Sequence, residues 1–221
     1  MAAKRENGRG HKDCLKVKQL LLDIQPITAP TLDNFVPGRN AEALHSLRAA
    51  ATGSSEACFI FLWGQGGTGK SHLLSACAGL AKQNSVNLVT MDDVQKLSDD
   101  AQIELFNTYN RLRDSGFALL ASGEAAPMQM GLRDDLATRL SWGLVYQLHP
   151  LSDEEKAQAL KAHAAARGMK LPDEVTDYCL RHLRRDLRTL MATLDALDEW
   201  SLIAKRPVTL PLLRQLLQFT P

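Results

Sequence analysis

Eight residues of the chain, GQGGTGKS from Gly64 to Ser71, have the types and spacing that hold phosphate groups in nucleotide-binding proteins. They fit the pattern GxxxxGK[ST], and they lie between an apolar run, CFIFLW, and an amphipathic run, HLLSACAGLAK. Backbone amides of such a loop surround phosphate oxygens, while Lys70 reaches the terminal phosphates and Ser71 can ligate Mg²⁺. The alternative is a glycine-rich loop that arose by chance. The motif predicts a phosphate site formed by Gly64, Gly66, Gly67, Thr68, Gly69, Lys70 and Ser71.

Two aspartates and a serine, which follow later strand-like runs, are the second set of candidates. Asp92 and Asp93 end the run VNLVTM, and Ser122 ends the run FALLAS. An acid at this place holds the Mg²⁺ ion in proteins with a phosphate loop, so Asp92 is the predicted metal ligand together with Ser71. Asp93 is the candidate for positioning the attacking water, and Ser122 for contacting that water or the γ-phosphate. Because an aspartate is shorter than the glutamate of many efficient ATPases, we expect slow hydrolysis. The alternative is that both acids cap the next segment.

Strand and helix patterns alternate around these candidates. Strand patterns occupy 58–63, 86–91, 117–122 and 144–148, and helical patterns occupy 40–51, 72–82 and 101–113. This alternation predicts an α/β fold with a mostly parallel sheet sandwiched by helices. From Ser152 onward only helical patterns remain, and the last covers 210–218, which predicts a small all-helical subdomain.

The same patterns divide the chain into four parts. The first residues, MAAKRENGRGHKDCLKVK, contain too little apolar material to repay the entropy of ordering. We expect a disordered tail at 1–18, a peptide and linker at 19–30, the α/β subdomain at 31–150 and the helical subdomain at 151–221.

Composition and charge exclude several classes of protein. The 221 residues carry a net charge of +1, so the chain lacks the positive field of a tight nucleic-acid binder, and any contact with DNA is expected to be indirect. Four cysteines without a CxxC pair argue against a zinc site and a disulfide framework. No apolar run approaches the roughly 20 residues of a membrane span, and the N-terminus lacks the apolar part of a secretion signal. We expect a cytoplasmic protein without membrane contact.

Four strings of the sequence carry a resemblance to a known family. They are TLDNFVPGRN before the phosphate loop, the acidic pair, RDDLATRLSWGLVYQL, and RDLRTLMATLDAL. From about Gln19 to about Leu217 the chain resembles DnaA-related AAA+ ATPases, a family of replication initiators and their regulators. The resemblance implies an AAA+ phosphate-loop domain followed by a helical lid. It also implies that Phe35 and Val36 contact the adenine base.

Two arginines receive roles from the same resemblance. Arg139 matches the arginine finger, which in an AAA+ assembly reaches the nucleotide of a neighbouring subunit. Arg188 matches the sensor II arginine of the lid. The alternative for Arg139 is a surface cation that faces Asp134 or Asp135. The alternative for Arg188 is one solvated helical face shared with Arg181, Arg184 and Arg185.

The segment QLLLDI resembles a peptide that binds another protein. Gln19, Leu20, Leu22 and Ile24 have the form of the peptide with which such regulators dock on the DNA polymerase III β sliding clamp. An extended peptide with alternating anchors is a known recognition mode. DNA would then be contacted indirectly, through the clamp. The alternative is an edge strand or a helix packed on the domain.

The chain also departs from the family pattern. Only 20 residues, 72–91, separate Ser71 from Asp92, which is enough for one helix and one strand. Relatives have a further strand there, and its loss would expose the neighbouring strand at the sheet edge. The chain ends at Pro221 without the helix-turn-helix domain of the initiators, so we do not expect it to read an origin directly.

The resemblance implies a regulator of replication initiation. Such a protein binds ADP or ATP with Mg²⁺, docks on the clamp at the replisome or nucleoid, and stimulates ATP hydrolysis by the initiator DnaA, which prevents re-initiation. Its own ATPase activity would be weak, and whether it forms a homodimer is left open. One alternative is a stand-alone AAA+ ATPase that loads a helicase. Another is an adaptor that tethers a partner to the clamp without using nucleotide.

Overall fold

A computed structural model describes residues 29–54, 59–184 and 186–218. These residues form two compact units, Ala29–Ser152 and a second that begins at Asp153. The first unit contains the sheet, and the second contains only helices. The predicted tail at 1–18 and the predicted peptide from Gln19 to Ile24 lie outside the described residues.

Four parallel strands form the sheet, in the order β2-β3-β1-β4. The two central strands read FIFLW and ALLASG, and such continuous apolar runs suit strands that are covered on both faces. The predicted mostly parallel sheet is therefore confirmed. The strands are β1 Phe59–Trp63, β2 Leu88–Met91, β3 Ala118–Gly123 and β4 Leu144–Gln147.

Helices cover both faces of this sheet. Ile60 and Leu62 of β1 pack in one hydrophobic cluster with the first two helices, whereas Phe61 packs in another with the next two. Because successive side chains of a strand point to opposite faces, a single strand contributes to both layers. The carboxyl ends of the parallel strands meet at one edge, where the candidate residues lie. The helices are α1 Ala41–Ala51, α2 Lys70–Gln83, α3 Asp99–Ser115 and α4 Asp134–Ser141.

Local signals set the ends of α3. Before it, Ser98 accepts a hydrogen bond through its Oγ from the amide of Ala101, at 3.4 Å, and after it Gly116 has a φ of 72°. A side-chain cap and a left-handed glycine are ordinary helix boundaries. The helix is two residues longer at each end than the predicted 101–113, because the hydrophobic pattern does not extend into its polar first and last turns.

Strand β2 lies at an edge of the sheet. It pairs with β3 on one side, and in the described residues no strand pairs with its other side. This agrees with the short separation between Ser71 and Asp92, which leaves no room for a further strand. The four residues of β2 make a short edge, and shortness is one way in which proteins limit pairing with other chains.

The second unit is built from four helices around a separate core. The buried side chains of this core come from all four helices and include Leu160, Val175, Cys179, Leu194 and Leu213. Within the described part of the chain, no helix is both long enough and apolar enough to cross a membrane. The helices are α5 Asp153–Ala166, α6 Asp173–His182, α7 Leu187–Ala204 and α8 Leu210–Gln218.

The alternative for Arg188, one solvated helical face shared with Arg181, Arg184 and Arg185, is wrong only in its single helix, since Arg188 is exposed to solvent. Helix α6 ends at His182, and α7 begins at Leu187. Asp186 separates the two by capping α7, since its Oδ1 accepts a hydrogen bond from the amide of Thr189 at 2.8 Å. Arg181 and Arg188 are both exposed, but they belong to different helices.

We expect Leu194→Ala to lower the stability of the helical unit by about 2–5 kcal/mol, because it removes a fully buried side chain and leaves a cavity. Leu202→Ala, in the same helix, is the matched control because Leu202 is 72% exposed. Urea unfolding followed by circular dichroism would measure both variants. Equal midpoints for the two variants would contradict the packing described for α7.

Candidate functional site

The phosphate loop, Gly64–Ser71, connects the end of β1 to the start of α2. At two positions of this loop a side chain larger than that of glycine would collide with a neighbouring residue. A Cβ at Gly64, whose φ is 155°, would lie 2.5 Å from the carbonyl oxygen of Leu148. A Cβ at Gly69, whose φ is 96°, would lie 2.7 Å from Cε2 of Phe35. Both positions combine a left-handed backbone with a close neighbour, so only glycine fits.

Lys70 is a buried cation with neutral partners. It is 7% exposed, and its Nζ donates hydrogen bonds to the carbonyl oxygens of Gly64, at 2.7 Å, and Gln65, at 3.1 Å. The ion pairs among the described residues do not include Lys70. Burial of an ammonium is costly unless an anion compensates it. Its surroundings therefore favour a negatively charged ligand at the loop.

The start of α2 adds further groups for an anion. The first N–H groups of a helix have no partner inside the helix, and the helix dipole is positive at this end. No acidic residue lies in the first turn of α2, and Ser71 in that turn is exposed. Thr68 is buried and donates a hydrogen bond to the carbonyl oxygen of Gln65, at 2.9 Å. The loop thus fits the phosphates of a nucleotide, with Ser71 available to a metal ion.

Asp92 and Ser122 meet at the carboxyl ends of the neighbouring strands β2 and β3. Ser122 is fully buried, and its Oγ donates a short hydrogen bond to Oδ1 of Asp92. Ser122 also lies beside Leu62 of β1, two residues before the phosphate loop begins. The sheet thereby brings the serine and the acid, which are 30 residues apart in sequence, to the loop side.

Asp93 is held by several bonds. Its backbone is left-handed, with φ 51° and ψ 52°. Its Oδ2 lies 2.6 Å from Nζ of Lys96, and its Oδ1 accepts a hydrogen bond from Nε2 of Gln95 at 3.3 Å. The hydrogen bond from Lys96 is the main cause that lowers the pKa of Asp93, and the charge of Lys70 contributes in the same direction. Its side chain makes no capping bond to the turn that follows, so the capping alternative is wrong for Asp93.

The segment that precedes α1 reaches the phosphate loop. The ring of Phe35 packs against Gly69 and lies 5.8 Å from the ring of His72, and Val36 beside it is half-buried. Nε2 of His72 lies 3.0 Å from the carbonyl oxygen of Thr31 and ties the segment to α2. Phe35, one of the two residues predicted to contact the base, therefore lies next to the loop that is predicted to bind phosphate.

Arg139 lies on α4 and contacts aromatic rings. Its Cζ is 4.1 Å from the ring centroid of Trp142 and 5.7 Å from that of Phe106. Asp135 pairs instead with Arg133, at 2.9 Å. No ion pair joins Arg139 to Asp134 or Asp135 in the part of the chain that the structure describes, so the predicted alternative for Arg139 is wrong.

Two other predicted sites do not belong to the described part of the first unit. Arg188 is exposed in the first turn of α7, in the helical unit. The peptide residues Gln19, Leu20, Leu22 and Ile24 lie outside the described residues. In the described ranges no group of three or more histidine, cysteine, aspartate or glutamate side chains could hold a metal ion, so Ser71 and Asp92 remain the two predicted ligands.

Several residues that matter to the site were missed by sequence reasoning. Lys96 and Trp142 each follow a candidate by three positions, a spacing that places side chains together in a helical turn. Gln102 gave no such signal. It is buried, its Oε1 accepts a hydrogen bond from the amide of Arg133 at 2.9 Å, and it thereby ties α3 to the start of α4.

Two family models match the chain. The lid domain of Hda matches residues 153–217, and the bacterial DnaA ATPase domain matches residues 82–147. The two matches do not overlap, and each falls within one of the two units.

Solved structures share the fold. Domain III of the Thermotoga maritima replication initiation protein DnaA has a TM-score of 0.71 at 24% identity, over 90% of this chain and 100% of that one. AMPPCP-bound DnaA from Aquifex aeolicus has a TM-score of 0.66 at 24% identity, over 76% of this chain and 64% of that one. The Thermotoga maritima RuvB branch migration motor has a TM-score of 0.62 at 14% identity, over 84% of this chain and 70% of that one. The chain spans about two thirds of the longer DnaA chains.

We expect Lys70→Ala to weaken the binding of ADP and ATP by roughly 10- to 100-fold, the size of one hydrogen bond to a charged group. Titration of a fluorescent ADP analogue would measure the dissociation constant. Lys82→Ala is the matched control, because Lys82 is exposed in the last turn of the same helix. Equal affinities for Lys70→Ala and the wild type would show that the loop does not bind phosphate through this lysine.

Proposed function

Because the chain belongs to the Hda and DnaA-related AAA+ family, we propose that it regulates the initiation of DNA replication by acting on the nucleotide of the initiator DnaA. The matches to the Hda lid and to the DnaA ATPase domain support a role in the regulation of initiation. The finer steps of the proposal concern nucleotide binding, the arginine of α4 and the N-terminal peptide. Each has its own support.

The chain binds ADP or ATP, and Mg²⁺ accompanies the nucleotide. Support comes from the buried Lys70, whose partners are neutral carbonyls, and from the start of α2 beside it. A DnaA of the same fold is known bound to AMPPCP. Gly64, Gly66, Gly67, Thr68 and Gly69 would surround the phosphates, Phe35 and Val36 would contact the base, and Ser71 and Asp92 would hold the metal.

The nucleotide bound to this chain turns over slowly. Asp93, the candidate for positioning water, already has both carboxylate oxygens engaged. Ser122, the candidate for sensing the γ-phosphate, donates its hydrogen bond to Asp92. Neither group is poised to move a proton from water. The nucleotide would therefore serve to fix the conformation of the protein, and Arg188 keeps the sensor II role that the resemblance implies.

The observation that carries the proposed function is the position of Arg139. Its guanidinium lies on the ring of Trp142, which is 60% exposed, and it makes no ion pair with the aspartates of its own helix. An arginine is always charged and presents a planar set of donors that suits a phosphate. Stacking on an aromatic ring helps to orient this plane and contributes about 0.5–1 kcal/mol at an exposed site. Arg139 would complete the hydrolytic site of DnaA and leave the initiator with ADP.

The N-terminal peptide would bring the protein to DNA through the β sliding clamp of DNA polymerase III. Its support is the spacing of Gln19, Leu20, Leu22 and Ile24 in the sequence, which is the form of a peptide with alternating anchors. Burial of three aliphatic side chains contributes about 2 kcal/mol each, but ordering of the peptide consumes much of that gain. A single peptide should bind weakly, so two copies, in a homodimer or on one ring, would gain from avidity.

We expect Arg139→Ala to reduce the stimulation of DnaA ATP hydrolysis at least tenfold, because an arginine finger can supply a factor of about 10³ to 10⁵ in rate. The measurement is phosphate release from ATP-DnaA in the presence of DNA-loaded clamp. Arg133→Ala is the matched control, because Arg133 precedes the same helix and pairs with Asp135. Full stimulation by Arg139→Ala would exclude the proposed role.

We expect Gln19→Ala to reduce the affinity for the clamp at least tenfold, because one buried hydrogen bond and its anchor are lost. Surface plasmon resonance with immobilised clamp would measure this affinity, and Lys18→Ala, outside the motif, is the control. Clamp binding that survives Gln19→Ala would make QLLLDI a structural segment. Robust DNA-stimulated hydrolysis by the chain alone, without clamp dependence, would favour a helicase loader.

A further inference from the structure

Lys96 lies beside the acids at the carboxyl end of β2. It closes the turn Val94–Lys96, which directly follows Asp93. Its Nζ is 2.6 Å from Oδ2 of Asp93. The charges of Glu124 and Asp92 also act on it and, together with Asp93, raise its pKa. Lys96 is thus a cation among three acidic residues, Asp92, Asp93 and Glu124, and Asp92 is the predicted metal ligand.

Asp93 is immobilised by this turn. Its amide donates to Oδ1 of Asp92, at 3.0 Å, and to Oγ of Ser122, at 3.3 Å. Its carbonyl oxygen accepts from the amide of Lys96, at 2.9 Å. With Gln95 on Oδ1 and Lys96 on Oδ2, both backbone groups and both carboxylate oxygens of Asp93 have partners.

Asp93 nevertheless lies on the side of the phosphate loop, since its amide donates to Oγ of Ser122, which lies beside Leu62 of β1. Hydrolysis of ATP forms a bond from a water oxygen to the γ-phosphorus and breaks the bond to the β,γ-bridging oxygen, which leaves with ADP. The water protons pass to the phosphate or to a nearby base. A carboxylate oxygen that already accepts a hydrogen bond from an ammonium group is a weaker and less mobile acceptor for that water, although each oxygen has two lone pairs.

We propose that Lys96 is a positioning residue that withholds Asp93 from the attacking water and so limits ATP hydrolysis by this chain. The inference rests on the proposed nucleotide site. Gln95 holds the other oxygen, but its bond is longer than that of Lys96, 3.3 Å against 2.6 Å, so Lys96 provides the stronger restraint.

The restraint should be modest in size. The side chains of Lys96 and Asp93 are 69% and 38% exposed, and exposed ion pairs are screened by water. Loss of this ion pair should increase the population in which Asp93 can accept from water by a factor of roughly two to five. This is the range that exposed ion pairs usually reach. The change would be visible in the rate and not in the fold.

The test is single-turnover ATP hydrolysis by the isolated protein with Mg²⁺, together with the dissociation constant for ATP. We expect Lys96→Met to raise the rate about two- to fivefold with unchanged affinity. Lys96→Arg, which keeps the charge and the donor, should restore the wild-type rate. Addition of Asp93→Asn to Lys96→Met should cancel the gain, because the freed group is then an amide. Lys82→Met is the control for the loss of an exposed lysine.

A measurement without ATP tests the ion pair between Lys96 and Asp93 directly. The NMR chemical shift of Nζ of Lys96 in lysine-labelled protein should change in Asp93→Asn, because that variant removes the carboxylate that Nζ contacts. Normal ATP affinity with an unchanged rate in Lys96→Met would overturn the inference and leave the proposed nucleotide site intact. Absence of ATP binding by the wild type would overturn the proposed site and this inference with it.

Discussion

The close approach of Gly64 to Leu148 is the constraint on which the rest of the site depends. There is no room for a side chain between the backbone of Gly64 and the carbonyl oxygen of Leu148. The amide of Leu148 in turn donates to the carbonyl oxygen of Trp63, at 2.7 Å, so the end of β4 is fastened to the entry of the phosphate loop. Lys70 then closes the loop on the carbonyl of Gly64. Backbone contacts of this kind position the loop more rigidly than flexible side chains could.

Burial on α4 explains how Arg139 can be both fixed and accessible. Leu136, Ala137 and Leu140 are buried against the sheet, whereas Arg139 is half-buried and Trp142 is exposed. Gln102, buried in α3, holds the amide that starts α4. The arginine is therefore oriented by a packed helix and an aromatic ring, and its charge remains available to another molecule.

Local patterns predicted more of the fold than of the site. The strands, the order of the helices and the loop were predictable, because each depends on a short run of apolar residues or on a motif of fixed spacing. The single helical face in the alternative for Arg188 overlooked the break between α6 and α7, because the cap by Asp186 depends on one hydrogen bond from the amide of Thr189. The contacts of Asp93 with Lys96 and of Arg139 with Trp142 depend on side-chain conformation, and spacing alone does not choose among several partners. The roles of these residues toward nucleotide stay predictions.

The strand order also dictates when the loop can form during synthesis. Strand β1 is made before its neighbours and lies between them, and its partners in β3 and β4 follow roughly 60 and 84 residues later. Pairings so distant in sequence form slowly, because a long loop must close first. Gly64 meets Leu148 only after the whole sheet has emerged from the ribosome, so the nascent chain cannot present a finished phosphate loop before then. A nucleotide can bind only to a chain whose sheet is already complete.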